Sequence, residues 1–203
     1  MPRAGRLLVT VCLALLLAAC ERAPVLPRLS PHDVILAFGD SLTHGTGASA
    51  DTAYPAVLAA LTGHTVVNAG VPGETTAEGL RRLPGTLSEY KPRLVLLCLG
   101  GNDMLRHLPD AETENNLRLL VRAIRAAGAA PVLIAVPQPR LFGGAPPYYE
   151  KLSEELKVPL EREAFVEVLK DNRLKSDLVH ANAAGYRVVA ERLAAFLHEA
   201  GAL

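Results

Sequence analysis

The sequence carries no excess charge of either sign: 21 acidic residues offset 21 Lys and Arg. That balance removes the electrostatic case for a nucleic-acid or strongly acidic partner. Cysteine is scarce, with three in 203 residues, at positions 12, 20 and 98. None has the spacing of a zinc or iron–sulfur ligand set. Two of the three fall in the first twenty residues, so the body of the chain has no pair from which to form a disulfide. Cys98 lies inside an apolar run and reads as a small buried hydrophobe, not a nucleophile. Internal repeats and low-complexity segments are missing too. The apolar run at 7–17 falls short of the roughly 20 residues a membrane-crossing helix needs. No cofactor is implied. The one loose nucleotide-type match, G-T-G-A-S-A at 45–50, begins several residues beyond a strand, and Asn68 stands where a ribose-binding acid is expected.

What the sequence does have is apolar content. Half the residues are hydrophobic, and this length suits one domain with a sizeable core. The first nineteen residues are set apart from it. Arg3 and Arg6 form a basic start, the 7–17 run follows, and Leu17-Ala18-Ala19-Cys20 closes the segment, the outline of a secretory signal. The ending resembles the lipobox of bacterial lipoproteins, which implies cleavage before Cys20 and lipidation of that cysteine. Glu21 after it implies sorting to the outer membrane of a two-membrane envelope. An ordinary signal cleaved after an alanine is the alternative. Without Arg3 and Arg6 the remaining chain is slightly acidic. Residues 20–32, with Pro24, Pro27 and Pro31, read as an extended tether; twelve residues at about 3.1 Å each reach roughly 37 Å. The folded domain is expected over 33–203.

Within it, short apolar runs alternate with helical periodicity. Strands are expected at 34–38, 65–69, 94–99 and 131–136, with a short edge strand at 158–160, where a proline is tolerated. The 94–99 run is continuous, as in a central parallel strand buried on both faces. Helices are expected at 55–61, 79–87, 112–127, 152–156 and 183–200. This order implies right-handed βαβ units and a three-layer α/β/α domain with about five parallel strands. In such sheets the ligand crevice forms at the carboxyl ends of the strands.

Those ends carry the chemistry. The first strand runs into Gly39-Asp40-Ser41-Leu42-Thr43, the second into Asn68-Ala69-Gly70-Val71-Pro72-Gly73-Glu74-Thr75, and the third into Gly100-Gly101-Asn102-Asp103. Asp177-Leu178-Val179-His180 precedes the last helix. Alone, a G-D-S tripeptide is ordinary turn chemistry, and Asp177 with His180 could be a helix-entry charge and a surface histidine. Together the four blocks, in this order over nearly all of 33–198, resemble the SGNH (GDSL) hydrolase superfamily, and most the bacterial thioesterase I, lysophospholipase and arylesterase branch. The resemblance implies a flavodoxin-like SGNH fold. It also implies Ser41 as nucleophile, His180 as general base, and Asp177 as the group that orients His180. The oxyanion hole would be made of the Ser41 and Gly73 backbone N–H groups and the Asn102 side chain.

These roles suit the residue types. A serine hydroxyl needs an imidazole to take its proton, a carboxylate three residues before His180 can reach Nδ1 within one turn, and Gly73 can approach substrate with no Cβ in the way. The expected partner is a small ester or thioester with an apolar acyl or aryl group. The loop 138–149, with Leu141, Phe142, Tyr148 and Tyr149, is a candidate acyl pocket. A carbohydrate O-acetyl esterase and a catalytically silent envelope binding protein are the competing functions. Asp40, Asp103, Asn68 and Asn182 are expected to shape loops. His32, His44, His64, His107 and His198 are expected to be solvated, with His44 near the rim of the site.

Overall fold

The computed structural model describes residues 25–139 and 144–203. The signal segment, Cys20, Leu141 and Phe142 lie outside the described residues. The strands are β1 (Val34–Gly39), β2 (Thr65–Gly70), β3 (Leu94–Cys98), β4 (Ala130–Ile134) and β5 (Leu160–Glu161). The helices are α1 (Ser41–His44), α2 (Tyr54–Thr62), α3 (Thr76–Tyr90), α4 (Gly101–Leu105), α5 (Asp110–Ala126), α6 (Tyr148–Leu156), α7 (Ala164–Lys170) and α8 (Ala183–Glu199). All pairings are parallel, in the order β2-β1-β3-β4-β5. Helix α2 packs on α8 and α8 on α7, while α3 packs on α5 and α5 on α6. These two groups cover the two faces of the sheet, giving the expected three layers.

Position in the sheet explains the strand sequences. Every residue of β3 has 0% exposure because helices cover both faces, so no polar alternation survives in it. Strand β2 is an edge, and its Thr65 and Asn68 are exposed. Most helix limits follow local signals. Thr75 and Glu78 form a complete capping box that starts α3 three residues before the expected point. Pro84 sits inside α3 on its exposed side.

Several elements depart from expectation, among them the short helices α1 and α4, which take up the chain directly after β1 and β3. Helix α6 begins at Tyr148, so the second half of the supposed loop is helical. The edge strand is shifted by two residues, from 158–160 to Leu160–Glu161. Helix α7 was not anticipated; buried Glu161 accepts hydrogen bonds from the N–H groups of Glu163 and Ala164 and holds its entry. The tether also changes. Leu26 and Leu29 are buried, and their N–H groups donate to the carbonyls of Ala200 and Ala202 at 2.9 and 2.8 Å. From Val25 onward the chain therefore lies on the domain. Val25, Leu26 and Pro27 border a groove with Arg93, Ala130, Pro131 and Pro159, at the amino ends of β3, β4 and β5.

Candidate active site

Strand β1 delivers Ser41 to the carboxyl edge of the sheet through a turn that admits little bulk. A Cβ on Gly39 would lie 2.3 Å from Thr43 Oγ1 and 2.4 Å from the Cys98 carbonyl, so glycine is what lets β1, β3 and α1 meet. Asp40 caps α1, its Oδ1 accepting from the Leu42 N–H at 3.0 Å. Ser41 is thereby fixed as the first residue of a one-turn helix, partly buried with its hydroxyl facing the last loop.

That loop is pinned from both sides. Asn182 caps α8 through the Gly185 N–H, and its Nδ2 donates to the carbonyls of Arg173 and Lys175. Ser176 N–H donates to the His180 carbonyl at 3.0 Å. Within it, Asp177 Oδ1 accepts from the N–H groups of Val179 and His180 at 2.8 and 2.9 Å, leaving Oδ2 2.8 Å from His180 Nδ1. His180 Nε2 is 3.0 Å from Ser41 Oγ. The carboxylate accepts only, so it selects the Nδ1–H tautomer and leaves Nε2 as acceptor for the serine hydroxyl. Burial draws the Asp177 carboxyl upward, but the hydrogen bonds from Val179 N–H and His180 outweigh it and hold the group below its ordinary value. The orienting carboxylate thus stays ionised wherever a neutral histidine can act.

The second and third strand ends meet beside Ser41. Val71 N–H donates to the Gly39 carbonyl at 2.9 Å, tying the loop after β2 to the residue before the G-D-S turn. Gly73 has φ +81, in the left-handed region where glycine is favoured. The Arg106 guanidinium donates to its carbonyl at 2.6 Å. Asn102, in α4, donates from Nδ2 to the Glu74 carbonyl at 3.0 Å and to Asp40 Oδ2 at 3.2 Å. The Glu74 side chain is buried and paired with Arg82, whose guanidinium also reaches the Ala69 carbonyl and lies 4.0 Å from the Phe38 ring centroid. Asp103, 1% exposed, accepts from the backbone and hydroxyl of Thr76. The start of α3 is thereby bound to α4.

Ser41, Asp177 and His180 therefore form one connected chain, and Gly73, on the loop after β2, and Asn102, in α4, are joined through Glu74. Asp40, Asp103, Asn68 and Asn182 hold turns together, as their residue types suggest. Tyr148 and Tyr149 do not line a pocket: both are buried, and Tyr149 Oη donates to the Leu99 carbonyl at 2.7 Å. His64 is half-buried, its Nδ1 3.1 Å from the Thr62 carbonyl, whereas His32, His44, His107 and His198 are exposed. The 45–50 loop is structural, with Tyr186 Oη donating to the Thr46 carbonyl. Burial pushes the Cys98 thiol up, away from nucleophilic chemistry. Among the described residues no three His, Cys, Asp or Glu side chains converge as a metal would require.

Sequence reasoning gave no role to Arg82, the Glu74 carbonyl or Arg106. Glu74 and Arg82 are eight residues apart across a loop and a helix, and Arg106 reaches back 33 residues to Gly73. No local spacing announces such contacts. Three exposed apolar side chains also flank the site residues in sequence: Val71 near Gly73, Leu105 near Asn102, and Leu178, 88% exposed, between Asp177 and His180.

Comparison with known proteins finds relatives along most of the chain. Thioesterase 1/protease 1/lysophospholipase L1 of Escherichia coli K12 is 37% identical over 175 residues, covering 82% of this chain and 84% of that protein. Esterase TesA of Pseudomonas aeruginosa is 36% identical over 145 residues, covering 69% and 71%. A solved structure described as TesA superposes with a TM-score of 0.75 at 30% identity, over 83% of this chain and 99% of that one. Residues 37–188 match the GDSL-like Lipase/Acylhydrolase family, from the last residues of β1 into α8 and through all four blocks. The chain belongs to that family.

Proposed function

We propose that the protein is a serine esterase that cleaves carboxylic esters or thioesters through an acyl-enzyme on Ser41. The observation that carries this reading is the unbroken Asp177–His180–Ser41 chain, with contacts of 2.8 and 3.0 Å. Ser41 Oγ attacks the substrate carbonyl carbon while its proton passes to His180 Nε2. The carbonyl π electrons move onto oxygen, where the Ser41 and Gly73 N–H groups and the Asn102 amide stabilise the charge; one such donor is worth about 3–4 kcal/mol. The oxyanion then collapses, the alcohol or thiol leaves with the proton from His180, and the acyl group remains on Ser41. Water repeats the sequence with His180 as base, releasing the acid and restoring the serine.

Val71, Leu105 and Leu178 support an apolar acyl or aryl group, because apolar side chains beside Gly73, Asn102 and the Asp177–His180 pair offer it an apolar surface. The test is hydrolysis of p-nitrophenyl esters from acetyl to palmitoyl by the wild type and Ser41→Ala. Activity that requires Ser41 and extends beyond acetate supports the reading. Strict preference for acetyl would turn it to carbohydrate O-acetyl esters, and activity surviving in Ser41→Ala would overturn it.

We also propose that Cys20 carries a lipid anchor in a bacterial envelope, with the outer membrane as destination. The Leu-Ala-Ala-Cys ending supports this, and the packing of Leu26 and Leu29 gives it a geometric consequence. Only residues 21–24 then separate the anchor from the domain, and Val25 to Pro27 lie at the amino ends of the strands, opposite Ser41. An anchored enzyme would present its site away from its own bilayer. Release of a Cys20→Ser variant from membranes is expected; unchanged fractionation would contradict it.

A further inference from the structure

The Asn102 amide has two protons, and in the resting site both are engaged, one by the Glu74 carbonyl and one by Asp40 Oδ2. Both partners are acceptors. They admit the amide in one orientation only, with Nδ2 inward and not Oδ1, because a flipped amide would set oxygen against oxygen. The Glu74 carbonyl is held by the backbone of a loop, but Asp40 is a side chain with a separate duty on its other oxygen, the Leu42 N–H. Asp40 as a whole is 2% exposed, and a Cβ on Gly101 would lie 3.3 Å from Oδ2. It has little room to turn away.

From this geometry we infer that Asp40 is a positioning residue of the reaction: with the Glu74 carbonyl its Oδ2 holds the Asn102 amide in place, and it shares an Nδ2 proton with the oxyanion as that charge develops. The inference rests on the serine-esterase reading above. Asp40 acts through Asn102 and does not touch substrate. The longer of the two amide contacts, 3.2 Å against 3.0 Å, is the one to Asp40, so it is the one that yields.

Burial raises the Asp40 carboxyl to about 7. The Leu42 N–H and His180 pull it down, while Glu74 and Asp103 add to the rise. Cys98, Tyr54, Tyr149 and Tyr186 also lie near it and are neutral in this range, each with its own ionisation raised by burial. When protonated, Asp40 becomes a donor and no longer accepts from Asn102 Nδ2, so the contact operates when the carboxylate is charged.

The test compares wild type, Asp40→Asn, Asn102→Ala and the double variant in the full chain. Asn caps a helix as well as Asp, so Asp40→Asn keeps α1 and removes only the negative acceptor. Expected is a fall in kcat of about 10- to 100-fold with KM little changed, and almost no further loss from Asp40→Asn in the Asn102→Ala background. Full activity in Asp40→Asn would make Asp40 a cap alone, and losses that multiply would show that it does not act through Asn102. A second readout needs no turnover. In 15N-labelled protein the Asn102 side-chain amide should shift with pH around 7 in the wild type and not in Asp40→Asn. An amide unchanged by the substitution and by pH overturns the inference, whatever the fate of the esterase reading, which Ser41→Ala tests separately.

Discussion

The middle of the sheet and its carboxyl edge are built on opposite principles. Strand β3 is apolar throughout, fully buried, and flanked by strands of the same kind. It contributes stability through area removed from water, about 1.5–3 kcal/mol for each large side chain. One strand-length further on, Asp40, Glu74 and Asp103 are almost as buried, yet each is a carboxyl group with a specific partner. Burying such groups costs free energy unless the partners are well placed. The edge therefore yields stability in return for fixed geometry, and the middle of the sheet makes that possible.

The largest expected effect breaks the edge and spares the middle. Ser41→Ala should abolish ester hydrolysis, by about 10⁴-fold or more in kcat, with thermal unfolding unchanged. Asp177→Asn should lower kcat by about 10²- to 10⁴-fold at neutral pH, because an amide no longer selects the Nδ1–H tautomer of His180; the same assay reads it. Leu96→Ala is the converse. It should destabilise by about 2–5 kcal/mol in denaturant unfolding while each folded molecule keeps its kcat.

Arg82→Met tests whether the two regions separate cleanly. It leaves the Glu74 carboxylate without its ion pair, so stability should fall by about 3 kcal/mol, and kcat should fall with it because the Glu74 carbonyl holds Asn102. The smallest effect is a pH dependence. The folded Asp40 pKa is about 7 against an ordinary 3.8, so the folded form binds its proton more tightly than the unfolded chain. The associated stability is complete below about pH 4 and is lost as pH rises to about 7. Asp40→Asn should remove this slope and be more stable than wild type at pH 8, as calorimetry across pH would show.

The same contrast explains how far the sequence could be read. Strand β3, helix α8 and the order of elements were legible because burial on both faces or on one stripe leaves a periodic trace. The four blocks were legible because turn glycines and chemistry-bearing side chains lie close together in sequence. Helix α7 was not, since its entry is held by Glu161 of the preceding strand and its Phe165, Val166 and Val168 fit a strand as well. Tyr148 and Tyr149 were misplaced for a related reason: an aromatic pair after two prolines looks like a pocket wall, and only their burial and the Tyr149 hydrogen bond to the Leu99 carbonyl show it as core. The supports of the site, Arg82 on Glu74 and Asp40 on Asn102, span 8 and 62 residues and leave no periodic trace.

The central claim is that Ser41 is activated by His180 and Asp177. Intact-mass analysis after exposure to a fluorophosphonate tests it most directly, because the reagent phosphonylates a serine only where a base takes its proton. One adduct in the wild type, mapped to Ser41, absent from Ser41→Ala and formed far more slowly in His180→Ala, is the predicted result. No adduct on the wild type, or labelling at an undiminished rate in His180→Ala, would contradict the account.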